Sequence, residues 1–196
     1  MNIDTKKLGN LWFSKYPDGG PQAEILRHAY KDRWVRFHSL EEGKRYPENP
    51  KEKQEILQRH YEILNELKPS DSIIILTSEW TNSPAPTPDE IEQQKAKRQG
   101  KYWMTFREDP DETLEEFIIY RHLYASSRTW NAGTIDDILI AVANDEMAGV
   151  IIAPKSLGWL YCPYDGGADI ILANSEKRDA LKKRHIDWLS SRSDGL

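Results

Sequence analysis

One cysteine, Cys162, occurs in the 196 residues of the chain. That excludes an intrachain disulfide and any zinc cage built from thiolates, and it suits a reducing compartment. A basic excess is also missing. Lys and Arg number 27 against 32 Asp and Glu, for a formal charge of -5, so broad affinity for nucleic acid or for an anionic membrane surface is not expected. No apolar run approaches the length of a membrane-spanning helix, and Met1 to Gly9 carry no apolar signal core. The sequence therefore predicts a cytoplasmic protein with neither membrane nor nucleic acid as partner. A Walker loop, a dinucleotide glycine fingerprint, a Gly-x-Ser-x-Gly elbow and a zinc-protease helix are all lacking. No cofactor and no metal site is expected, and the weight of an enzymatic reading falls.

What is present is bulk for a core and charge for a surface. Seven Trp, nine Tyr and four Phe accompany 30% charged residues, and the length suits one ordinary domain over 1–196. Leu11-Trp12-Phe13 leads to Asp18-Gly19-Gly20, residues that tolerate positive φ and predict a chain reversal. Pro21 suits the first position of a helix with Ile25, Leu26 and Ala29, residues that also tolerate a strand, and Arg33 to Leu40 alternates as a strand around Trp34, Val35 and Phe37. Asn49-Pro50 with Glu52 marks the start of a long helix. Its apolar stripe is Ile56, Leu57, Tyr61, Leu64 and Leu67, and Pro69 is expected to stop it. Ile73 to Leu76 is a strand buried on both faces, which makes strand, helix, strand a βαβ candidate.

Residues 82–88 hold three prolines and predict an exposed connection inside the domain. Thr87-Pro88-Asp89-Glu90 opens a surface helix through Gln99. Tyr102 to Arg107 and Phe117 to Tyr124 are strands able to pair antiparallel. Thr134 to Asp137 predicts a cap for a helix running to about Met147 and closed by Gly149. Val150 to Ile152 is a strand ending at Pro154. Trp159 to Cys162 and Asp169 to Leu172 flank Tyr164-Asp165-Gly166-Gly167 as a hairpin, and Asn174 or Ser175 begins a closing helix with Leu181, His185, Trp188 and Leu189 on one face. The expected fold is α+β or mixed α/β. It is a single domain with a mixed sheet, one βαβ unit in the first half, and a β-hairpin plus closing helix in the second.

The stretch Trp159 to Leu172, closing on Asp187-Trp188-Leu189, resembles the C-terminal part of an uncharacterised bacterial family known as a domain of unknown function. Tyr16 to Gln22 and Arg33 to Leu40 are similar to unannotated bacterial proteins. The resemblance implies no reaction and assigns no residue a role.

Five histidines, His28, His38, His60, His122 and His185, show no spacing of a recognisable metal site. Cys162 reads as a small buried hydrophobe, because nothing beside it lowers its pKa. Asp165 and Asp169 bracket the Gly-Gly turn with Tyr164 next to it, and the turn is expected to project Tyr164 and Asp165 outward as binding anchors. Lys177, Arg178, Lys182, Lys183 and Arg184, and a second cluster of Lys95, Lys97, Arg98 and Lys101, read as solvated helix faces.

Two readings of function follow, the first leading and the second its alternative. One is a non-catalytic bacterial binding protein with a protein partner, for example in immunity or regulation, using Tyr164, Asp165 and Asp169 or the strand bearing Arg33, Arg36 and His38. The other is a small hydrolase or transferase for a phosphorylated or nucleotide substrate, with some of Arg33, Arg36, His38, Arg121 and His122 around a pocket. Convergence of these side chains in a cleft favours the second reading, and scatter over the surface favours the first.

Overall fold

In a computed structural model, which describes residues 3–67, 71–98, 100–192 and 194–195, one seven-stranded sheet carries helices on both faces. The strands are β1 (Trp34–His38), β2 (Ser72–Thr81), β3 (Lys101–Arg107), β4 (Tyr120–Thr129), β5 (Ile151–Pro154), β6 (Leu160–Tyr164) and β7 (Gly167–Ile171), in the order β1-β7-β6-β5-β2-β4-β3. The helices are α1 (Thr5–Lys15), α2 (Ala23–Ala29), α3 (Pro50–Glu66), α4 (Pro88–Arg98), α5 (Asp136–Ala143) and α6 (Ser175–Arg184). The class is α+β, in a single domain.

Every pairing in the sheet is antiparallel, which corrects the expected mixed sheet. Strand, helix and strand do follow one another as β1, α3 and β2, and the alternation of the sheet makes β1 and β2 run in the same direction. Three strands lie between them, so they share no ladder. Periodicity reports which face of a strand is buried and carries no information about its neighbour, and long-range pairing decided the topology.

Period-2 alternation sorts side chains into two cores. Val35, Phe37, Ile73, Ile75, Ile152, Tyr161 and Ile170 pack with Ile63 and Leu64 of α3, Leu139 of α5 and Leu181 of α6. On the other face Ile74, Leu76, Ile151, Leu160, Cys162 and Ile171 meet Leu8 and Trp12 of α1, Tyr16, Leu26 of α2 and Tyr30. The hairpin therefore covers core on both faces, which explains its near-continuous burial.

Local signals hold in several places. Asn49 accepts from the Glu52 amide at 3.0 Å and Asn174 from the Lys177 amide at 2.9 Å, both as N-caps. Other expectations change. Helix α1, capped by Asp4 through the Lys6 and Lys7 amides, was not foreseen, although Leu8 and Trp12 are spaced for it. Asp18-Gly19-Gly20 reverses the chain without positive φ at either glycine; Gly19 is instead pressed against Leu26 and Tyr30. Thr134 is not a side-chain cap for α5, whose N-cap is Ile135. The helix ends at Ala143, and Asp145 rather than Gly149 takes the left-handed position after it. The closing helix breaks at His185 into a 3-10 turn, Ile186–Trp188. Pro69 and Gln99 lie outside the described residues, as do the side chains of Lys95, Lys97 and Arg98. Among the described residues no helix is long and apolar enough to cross a membrane.

Candidate functional site

The length of β5 creates the site. This strand pairs with Ile73 to Leu76 of β2 and stops, whereas β2 continues to Thr81 and keeps β4 beside it up to Tyr120. Past Ile151 the sheet opens between β6 and β2, and the segment Ala148 to Val150 crosses the opening. Ser78 donates to the Gly149 carbonyl at 2.9 Å. A Cβ on Gly149, at φ +64°, would meet Ser78 and Trp80 within 2.9 Å, so only glycine lets the segment lie this close. Helix α2 closes the notch from above. The result is a cleft of about 610 Å³ lined by side chains of α2, β1, β2, β4, β6 and β7 and of the loop after β1.

One wall is a cross-strand row. Register places Arg36 opposite Asp169 and Asp169 opposite Cys162 on three adjacent strands. Arg36 donates through Nε and Nη2 to the two Asp169 oxygens at 2.8 and 2.7 Å, a planar fork on a carboxylate. Trp34 Nε1 donates to the same carboxylate at 2.9 Å, and Arg27 Nη1 stands 4.0 Å from it. Asp169 is 4% exposed, so its oxygens are committed to holding the wall together. Burial works against the Arg36 charge, and the Asp169 bonds outweigh it, so the guanidinium pKa rises. Arg36 also lies over the Tyr164 ring at 4.5 Å. Burial pushes the Tyr164 phenol up to about 12, and its buried Oη has no hydrogen-bond partner.

The opposite wall is built on Arg121, whose side chain is 5% exposed. Its Nε donates to Glu108 Oε2 at 2.9 Å, and Nη2 reaches Glu108 Oε1 and also Glu24 Oε1 on α2, the latter at 2.6 Å. The guanidinium stacks on Trp80 at 4.9 Å. Its Nη1 is buried without a partner, and so is Nε of Arg27. Three residues lining the cleft thus carry buried polar atoms with no hydrogen-bond partner among the described residues.

The rim is the loop after β1. Glu42 and Gly43 take φ of 56° and 69° in succession, which turns the chain so that a Cβ added to Gly43 would stand 3.5 Å from the His38 ring. Arg45 Nε then donates to Asp165 Oδ2 at 2.7 Å, and the same carboxylate nearby raises the pKa of the Tyr46 phenol. Burial lowers the His38 pKa, aided by the charges of Arg36 and Arg59 and opposed by a backbone contact with Gly166. The imidazole is therefore held neutral near pH 7.

The cleft gathers Arg36, His38, Tyr164, Asp165, Asp169 and Arg121. Arg33 and His122 are left out. Arg33 lies over the rings of Tyr30 and Tyr16 at 4.4 and 5.3 Å. His122 follows Arg121 on β4 and so faces the other way, buried between Thr105 and Thr81 at 2.6 and 2.8 Å. The hairpin tip does not project as expected, because Tyr164 and Asp165 fold back into the cleft wall. Arg27, Arg45, Glu24 and Trp80 were missed, since a single charged residue in a helix or loop carries no signal of where the chain will bring it. Cys162 is 2% exposed, and burial, then the Asp169 charge, lifts its thiol pKa far above the ordinary value, which keeps it a protonated thiol at neutral pH. Among the described residues the only three-ligand group of histidine and carboxylates is Glu62, Glu66 and His185. The two ring nitrogens of His185 face different carboxylates, Nε2 to Glu66 at 2.6 Å and Nδ1 to Glu62 at 3.9 Å, and Arg184 occupies the other Glu66 oxygen. The group is a clasp between α3 and α6.

No curated protein and no solved structure matches the chain. A family model covers residues 23–193, from α2 to the segment beyond the last turn, and so includes each of the described cleft residues. The chain belongs to the family described as Domain of unknown function (DUF3885).

Proposed function

We propose that this is a bacterial cytoplasmic binding protein whose ligand is a small molecule bearing phosphoryl groups, held in the cleft between α2 and the notch in the sheet. The observation that carries the reading is that, of the five described residues with buried side-chain polar atoms lacking partners, three line one cleft through Arg27 Nε, Arg121 Nη1 and Tyr164 Oη, while Arg107 and Ser127 lie outside it. A buried donor without an acceptor costs about 1–3 kcal/mol, more when it is charged, so such atoms in one place point to an acceptor that arrives from outside. Guanidinium groups match phosphoryl oxygens in geometry, and the cleft volume lies in the range of small-molecule sites. A phosphorylated ligand is favoured over a protein loop because the hairpin tip, the surface best suited to a protein partner, is turned inward.

A second reading is favoured by the convergence of Arg36, His38 and Arg121 on one cleft, with Arg33 and His122 outside it, and by the state of one side chain there. His38 is the imidazole in the cleft and is kept neutral beside Arg36, the state required to accept a proton from water or a hydroxyl attacking a phosphoryl group. That would make the protein a hydrolase or transferase for the same ligand class.

A thermal-shift series with inorganic phosphate, pyrophosphate, sugar phosphates and nucleotides, beside carboxylates of matched charge, tests the reading. Stabilisation by phosphoryl compounds, lost in Arg36→Met, is expected. Equal response to every anion, or none, rejects it. Release of phosphate that disappears in His38→Gln while binding persists would select the enzymatic reading.

A further inference from the structure

We infer that Glu24 is an internal stand-in for the ligand: its carboxylate occupies the phosphoryl position on Arg121 in the empty protein and gives it up when a phosphoryl group binds. This rests on the reading of the cleft as an anion site and deepens it by naming the subsite and what guards it.

Arg121 carries more acceptors on one side of its guanidinium than its charge requires. Glu108 already takes Nε and Nη2 of Arg121 in a fork, which neutralises the buried charge and needs nothing further. Glu24 adds a second carboxylate to the same Nη2 at 2.6 Å. One cation is thereby shared by two anions, an arrangement in which the carboxylates repel each other. The two acids are not equivalent. Glu108 follows β3 directly and pairs along its own sheet neighbour, whereas Glu24 arrives from α2, on the other side of the cleft, with its side chain 46% exposed. The more exposed carboxylate recovers hydration when it leaves, so its release costs little. Nη1 of Arg121 has no partner among the described residues, so an oxyanion that replaces Glu24 on Nη2 also gains Nη1, a second bond that the Glu24 carboxylate does not make.

Charge balance points the same way. The cleft is lined by Arg27, Arg36, Arg45 and Arg121 against Glu24, Asp165 and Asp169, and Glu108 behind Arg121 makes the acids equal in number to the arginines. Asp169 is locked by Arg36 and Trp34, Asp165 by Arg45, and Glu108 by the Arg121 fork. Glu24 is held on Arg121 through one hydrogen bond, and its departure leaves the cleft one positive charge in excess at the moment an anion enters. Because Glu24 lies in the first turn of α2, its movement is confined to side-chain rotation and needs no rearrangement of the sheet.

Calorimetric titration of pyrophosphate into the wild type, Glu24→Gln, Glu41→Gln and Arg121→Lys tests this. Glu41 is exposed in the neighbouring loop, and its substitution removes the same charge from the surface without touching Arg121. Glu24→Gln should bind pyrophosphate about five- to tenfold more tightly than wild type, and Glu41→Gln within about twofold of it. Arg121→Lys, normalised to the folded fraction by circular dichroism, should lose most of the affinity. A gain in Glu24→Gln no larger than in Glu41→Gln reduces the effect to surface charge and overturns the inference, and weaker binding in Glu24→Gln overturns it by making Glu24 a support of the site. Wild-type binding with Glu24→Gln unchanged rejects the stand-in alone, whereas no binding by any of the four proteins rejects the anion site with it.

Discussion

Replacing Asp169 by Asn keeps the shape of the side chain and removes its charge, at a cost set by the donors that the carboxylate holds. Two Arg36 bonds at 2.8 and 2.7 Å and the Trp34 indole bond at 2.9 Å converge on a carboxylate that is 4% exposed. An amide can accept at one position only, and its NH2 group opposes a guanidinium donor. Removing one partner of a fully buried pair costs about 3–5 kcal/mol. The Arg36 side chain retains 13% exposure, so partial rehydration should bring the loss to about 2–4 kcal/mol. For a protein of this length that lowers the melting temperature by about 5–12 °C. Urea denaturation at pH 7 of the wild type, Asp169→Asn and Asp165→Asn measures it. Asp165 pairs with Arg45, which is 64% exposed, so Asp165→Asn should shift the midpoint far less. Equal midpoints for Asp169→Asn and wild type would refute the view of Asp169 as the post on which the arginine wall is built.

His60, wholly buried between Tyr161 and Ser39, has its pKa lowered by burial to about 4 from an ordinary 6.5. The unfolded chain therefore takes up the proton first, so stability is fully present above pH 6.5 and falls by about 3 kcal/mol as pH drops towards 4; urea midpoints of the wild type relative to His60→Gln at pH 7, 5.5 and 4.5 should show this extra loss, and parallel profiles would refute it. Gly167→Ala should cost about 3 kcal/mol or more, because an added Cβ would come within 1.9 Å of the Phe37 carbonyl oxygen on β1; a melting temperature within a degree of wild type would show that the two strands are not pressed together. Cys162 should resist maleimide in the native protein and react in urea, and rapid native labelling would contradict its burial.

Elements whose signals are local could be read from the chain. Asn49 and Asn174 each announce a helix through one side-chain oxygen, and the hairpin is written in Asp165-Gly166-Gly167 between two apolar runs. Arg36 and His38 could be named as partners on one face because a strand fixes that relation at two-residue spacing. The same rule, applied to Arg121 and His122, separates them, and the structure puts them on opposite faces of β4. What could not be read is long-range. No residue of β5 says that the strand will begin only at Ile151 beside a β2 that runs on past Leu76, and that mismatch is what opens the notch. Nor does Glu24 show that it will meet an arginine 97 positions away. The unpaired nitrogens of Arg27 and Arg121 exist only once α2 has been laid over the sheet.

If the notch beside β5 receives a phosphoryl group, a crystal structure of the protein with pyrophosphate should show the anion there. It should lie in hydrogen-bond contact with Arg121 Nη1 and with Arg27 or Tyr164, and the Glu24 side chain should be turned away from Arg121. Pyrophosphate bound only elsewhere, for example along Arg178 and Lys182 of α6, with the cleft unchanged, would show that the notch is not an anion site.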